Sequence, residues 1–82
     1  MFIMIILFGI IVKGFIMHFK RIKELRIEND KIQQDIADYL HCNRLVYARY
    51  ENGIREIPIS MLIQLAKLYE VSVDYIIGLK DY

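Results

Sequence analysis

The sequence predicts an all-α domain of five short helices behind an apolar N-terminal extension. Three observations carry this. From Phe19 onward apolar residues recur at helical spacing, and no stretch alternates at the two-residue period of a strand. Caps and stops punctuate that pattern: Asn43 and Ser72 precede helical runs, while Asn52-Gly53 and Gly78 follow them. The chain has 82 residues, enough for one small core and no second. At this size good helix packing or association has to supply the stability that disulfides supply elsewhere.

Residues 1–12 carry no polar side chain, and only Lys13 and His18 interrupt the apolar character through Phe19. Three readings of the segment 1–16 stay open. One is a membrane anchor or uncleaved signal, short of the ~20 apolar residues that cross a bilayer unless it continues past Lys13. No small-residue cleavage site follows it. Another is a misplaced translation start, with Met17 opening the natural chain. The third is an apolar helix that packs on the domain or on a second copy. If the segment is present, its apolar surface, at ~25 cal/mol per Å² buried, is expected to drive association or partition to membranes. Residues 17–82 are expected to form the folded domain.

The first helix is expected to open near Phe19, with Phe19, Ile22, Leu25 and Arg26 on one face, and to end in the polar run 28–31. A second runs from Ile32 or Gln33 to Leu40. Its apolar Ile36, Ala37 and Leu40 would meet Tyr47 and Tyr50 of the third, and small Ala37 suits a steep crossing. His41 lies in the turn between them, where the backbone often takes a positive φ. Asn43 caps the third helix, which leaves Arg44, Leu45, Ala48 and Arg49 on its outer face. A helix held this way suits the DNA major groove. A loop carrying Arg55 follows. Pro58 then opens a fourth helix where its missing N–H costs nothing, with Leu62, Leu65, Ala66 and Tyr69 turned inward. Ser72 caps the fifth, Asp74 complements its dipole, and Val73, Ile76 and Ile77 face the core.

Composition narrows the function classes. Eleven Lys and Arg against ten Asp and Glu leave a net charge of +1, so distribution decides more than total. Lys20, Arg21, Lys23 and Arg26 gather near the start of the polar region, and Arg44, Arg49 and Arg55 surround the third helix. Glu70, Asp74 and Asp81 collect toward the end, which suggests one basic and one acidic face. The single cysteine, Cys42, excludes an internal disulfide, fits a cytoplasmic location and reads as a small apolar residue in the turn. His18 and His41 lack partners at metal-ligand spacing, and neither a phosphate loop nor a nucleophile elbow is present. Neither an enzyme nor a cofactor is expected.

Six short motifs, in order, extend the reading: RIKELR from Arg21; Gln33 with Ile36-Ala37; RYENG from Arg49; Ile57-Pro58-Ile59; LIQLA from Leu62; and VSVDYIIG from Val71. Together they resemble the Cro-type (XRE, phage-repressor-like) helix-turn-helix family over about residues 19–82. The resemblance implies a five-helix lambda-repressor-like DNA-binding domain and a sequence-specific transcriptional regulator. It further implies a repressor acting as a homodimer on double-stranded DNA, since one such domain buries little surface for tight specific binding. Gln33 falls where the family touches a phosphate and buttresses the reading helix. Arg44, Leu45 and Arg49, with Asn43 and Ala48 beside them, fall on the DNA-facing surface of helix three. Asn52 and Arg55 match backbone-contacting positions, and Glu51 matches a Glu paired with the helix-one Arg, here Arg26. Arg can present a fork to guanine O6 and N7, while Asn and Gln suit phosphate oxygens. Departures are Leu45 and Val46 where polar residues are common, Lys31-Ile32 in place of a capped entry to helix two, and His41 in place of Gly or Asn. Leu45 and Val46 fit thymine methyls, or alternatively a protein or membrane partner, the other reading of this fold.

Overall fold

The computed structural model describes residues 17–82, where five α-helices follow one another without any strand. They are α1 (Arg21–Glu28), α2 (Gln33–Tyr39), α3 (Arg44–Glu51), α4 (Ile59–Tyr69) and α5 (Val73–Ile76). The apolar segment 1–16 lies outside the described residues. Among the described residues, no helix is long and apolar enough to cross a membrane.

One core joins all five helices, because each contributes a stripe at helical spacing. Ile22 and Leu25 of α1, Ile36 and Ala37 of α2, Tyr47 and Tyr50 of α3, Leu62, Leu65 and Ala66 of α4 and Ile76 of α5 are buried together with Leu40 and Ile57. Ala37 is completely enclosed where α2 meets α3. Phe19 packs half-buried on this core, but α1 begins two residues later than the apolar pattern suggests. Phe19 instead forms the turn into the helix, its carbonyl accepting from Ile22 N–H at 3.0 Å.

Local chemistry explains the helix ends. The Asn43 side chain accepts from Leu45 N–H at 2.7 Å and the Ser72 hydroxyl from Tyr75 N–H at 3.0 Å, so each satisfies a donor the first turn leaves open. Ile32 has no acceptor to offer α2. Asp35, three residues on, compensates by accepting from Ile32 N–H at 2.9 Å. Pro58 takes the capping position before α4 with ψ 149° rather than the first helical one. His41 holds φ 57°, as the tight turn between α2 and α3 demands; Asp30 and Glu70 also hold φ 56° and 57° at the ends of α1 and α4.

Candidate nucleic-acid interface

The turn at His41 and the Asn43 cap aim α3 so that its two faces have different fates. Tyr47, Tyr50 and Glu51 turn inward and are buried. Arg44, Leu45 and Arg49 lie exposed along the opposite face, with Ala48 half-buried between them. Leu45 keeps 55 % of its surface open despite being apolar. Val46 points part-way inward and packs against the core, so of the two apolar departures only Leu45 is presented outward. Arg55 joins this surface through the backbone: Ile54 N–H and Arg55 N–H both donate to the Arg49 carbonyl, at 2.9 and 3.2 Å.

Beneath this face lies a polar network built on Glu51, whose side chain is fully buried. Arg26 Nε donates to Glu51 Oε2 at 2.6 Å and Arg26 Nη2 to Oε1 at 3.2 Å. Arg26 also donates to the Lys31 carbonyl at 2.9 Å. The Tyr47 hydroxyl donates to Oε2, and Gln33 Nε2 to Oε1 at 3.2 Å. Burial alone would push the Glu51 carboxyl up. The hydrogen bonds from Arg26, Tyr47 and Gln33 outweigh it and hold the group below its ordinary range. Hydrogen bonding to that carboxylate in turn raises Arg26. Burial first, then the carboxylate bond, drives the Tyr47 phenol far above its usual value. Burial and then the Glu51 charge push Tyr69 up to about 12. The network continues to the surface, because Arg44 Nη1 donates to Gln33 Oε1 at 3.2 Å.

The end of α3 is strapped from the N-terminal side. His18 Nε2 lies 2.7 Å from the Glu51 carbonyl; since a carbonyl only accepts, that nitrogen carries the proton. The imidazole rests on Gly53, which has φ +74°, and a Cβ there would fall 2.8 Å from His18 Cγ. Glycine is thus required twice, by conformation and by the close approach. Asn52, the residue expected at the DNA backbone, is exposed immediately before it. Cys42 sits half-buried in the turn, its thiol pushed up by burial.

Residues 22–76 match the family model described as helix-turn-helix. The chain belongs to the helix-turn-helix family. Three regulators of Bacillus subtilis (strain 168) are similar to it. The uncharacterized HTH-type transcriptional regulator YobD is 35% identical over 65 residues, which are 79% of this chain and 58% of that protein. The uncharacterized HTH-type transcriptional regulator YqaE is 34% identical over 58 residues, 71% of this chain and 50% of that protein. The HTH-type transcriptional regulator ImmR is 34% identical over 59 residues, 72% and 46% respectively. The chain therefore spans about half the length of the curated relatives it matches. No solved structure matches it. Membership in this family places the chain among helix-turn-helix DNA-binding domains rather than enzymes.

Three contacts around this site and its supporting helices escape a reading of the sequence. Tyr47 reads there as core alone, although a Tyr four residues before a Glu on one helix face is a signal that their polar ends can meet. His18 reads as an interruption of an apolar run. Arg21, counted with a basic cluster, instead leaves that end of the molecule. Its Nη1 donates to the Tyr75 and Lys80 carbonyls at 2.7 and 2.6 Å, its Nη2 meets Asp81 Oδ1 at 3.3 Å, and the guanidinium lies 4.3 Å over the Tyr75 ring. The basic start and acidic end of the domain thus meet at this point, which blurs the division into two charged faces.

Proposed function

We propose that this chain is a sequence-specific transcriptional regulator that reads double-stranded DNA by laying α3 in the major groove, and that it represses as a homodimer on a repeated half-site. The observation that carries the reading is the division of α3: its buried face is locked to α1 and α2 through Glu51, and its open face offers Arg44, Leu45, Ala48 and Arg49. In this reading Arg44 and Arg49 present guanidinium forks to guanine edges and Leu45 meets a thymine methyl. Asn43, Asn52, Arg55 and Gln33 hold the phosphate backbone on either side. The names of the three relatives support the regulatory role. Action on DNA implies a cytoplasmic place for the domain, whatever residues 1–16 do at a membrane or a second copy.

Selection of duplexes from a randomised pool by the full chain, followed by binding titrations, tests this. Arg44→Ala and Arg49→Ala should each cost about 1–3 kcal/mol of discrimination at one base pair, with the fold retained. Asn52→Ala should weaken all duplexes alike. Affinity for DNA should fall steeply as salt rises, because phosphate contacts release counterions. If the double Arg variant retains full affinity and preference, the exposed face of α3 serves a protein or membrane partner instead.

A further inference from the structure

We propose that Tyr47 is a positioning residue for base reading: its buried hydroxyl orients Glu51, which sets the Gln33 amide, which in turn holds Arg44. The inference rests on the DNA reading above and adds a part to it that touches no DNA.

The geometry is a chain of donors and acceptors in strict alternation. An ionised carboxylate only accepts. Glu51 Oε2 is taken by Arg26 Nε and the Tyr47 hydroxyl, and Oε1 by Arg26 Nη2 and Gln33 Nε2. The Gln33 amide has therefore no choice of orientation. Its NH₂ faces the carboxylate, and its carbonyl oxygen is left facing outward to accept from Arg44 Nη1. A reversed amide would set oxygen against oxygen at Glu51 and N–H against N–H at Arg44. Tyr47 matters because it is completely buried on the same helix as Arg44 and closes the second side of Oε2. With that hydroxyl in place the carboxylate has no freedom to swing onto Arg26 alone and release Gln33. Arg44 then meets DNA with one nitrogen already tied down, so less side-chain freedom is lost on binding.

The test uses the full chain and the duplex enriched from a randomised pool. Tyr47→Phe should lower discrimination at the base pair read by Arg44 about two- to tenfold. Discrimination elsewhere and the salt dependence should stay as they are. In an Arg44→Ala background the same change should do nothing further at that base pair. Gln33→Ala, at the half-buried start of α2, cuts the chain one link later. It should reproduce the loss of discrimination at the base pair read by Arg44, superimposed on a uniform loss of affinity from its own phosphate contact, whether or not Tyr47→Phe folds. Nitrogen-resolved NMR of the free protein gives a readout without DNA: the Gln33 side-chain amide protons should exchange faster in Tyr47→Phe. In Tyr47→Phe, a uniform loss at every base pair, an undiminished effect in the Arg44→Ala background, or unchanged Gln33 exchange overturns the positioning role and leaves DNA binding standing. Failure to enrich any duplex overturns both.

Discussion

Arg21 and Arg26 stand on the same helix, five residues apart, and both reach far across the chain, yet they do different work. Arg26 enters the core. Its side chain is 12% exposed, its partner Glu51 0%, and the pair ties α1 to α3. Arg21 stays at the rim, its side chain 25% exposed and its acidic partner Asp81 97%. It gains most of its contact from backbone carbonyls and from the Tyr75 ring. The difference teaches that burial, not charge, decides what an ion pair is for. In the interior an unpaired charge has no recourse to water, so the pair fixes one arrangement. At the surface water replaces a lost partner at little cost.

The comparison is broken most severely by Arg26→Ala. It leaves Glu51 buried with two neutral donors and should cost about 3–5 kcal/mol, a large share of the roughly 5–15 kcal/mol that holds a domain folded. Urea denaturation should show the variant largely unfolded or with a midpoint far below that of the unaltered protein. A shift no larger than that of a surface substitution would show that the pair is solvated and that α1 and α3 are held by apolar packing alone.

Acid sharpens the same contrast. Burial raises Glu51, but its three donors bring it to a folded value below the ordinary 4.5. Its contribution to stability is therefore complete above that value and is lost as pH falls through the lower, folded one. Tyr47→Phe removes one donor and keeps the pair, so acid unfolding should begin at a higher pH than in the unaltered chain. Urea midpoints followed from about pH 6 down to about pH 2 check this. Asp81→Ala should leave the profile unmoved, and identical profiles for Tyr47→Phe and the unaltered protein would mean that the hydroxyl does not hold the carboxylate.

How far such contacts are legible in a sequence depends on how local they are. The α2–α3 pairing is written in short-range terms: Ala37 for close approach, Asn43 for the cap, His41 for a turn that takes positive φ. The buried stripe of α4 follows from spacing alone. Arg26 and Glu51, 25 residues apart, are linked by no periodicity and enter the reading only through family resemblance. Arg21 has no such signal. Its partners lie 54 to 60 residues away, and nothing in helical spacing says where a long flexible side chain will end. The left-handed Asp30 and Glu70 are likewise silent, because a polar residue at a helix end is common whether or not it adopts that conformation. Ile32 shows the converse: a missing cap is visible in the sequence, but Asp35 supplies the compensation from inside the helix.

The smallest effects should come from the rim. Arg21→Ala removes two charge-assisted hydrogen bonds to carbonyls and the stacking on Tyr75, and should cost about 1–2 kcal/mol. The part-buried Tyr75 carbonyl keeps its bond from Gly78 N–H at 3.2 Å, so no acceptor there is left wholly unpaired and the cost stays modest. Asp81→Ala removes only the 3.3 Å contact of an almost fully exposed carboxylate and should leave the urea midpoint where it was. High salt should leave the Arg21 contribution nearly intact, since carbonyl and ring contacts at short range are screened far less than an exposed ion pair. The ordering Arg26, then Arg21, then Asp81 is thus an ordering by burial at nearly constant charge. Should Asp81→Ala match Arg21→Ala in cost, the acidic partner and not the carbonyls would be holding the C-terminal residues on α1, and charge would count at this surface after all.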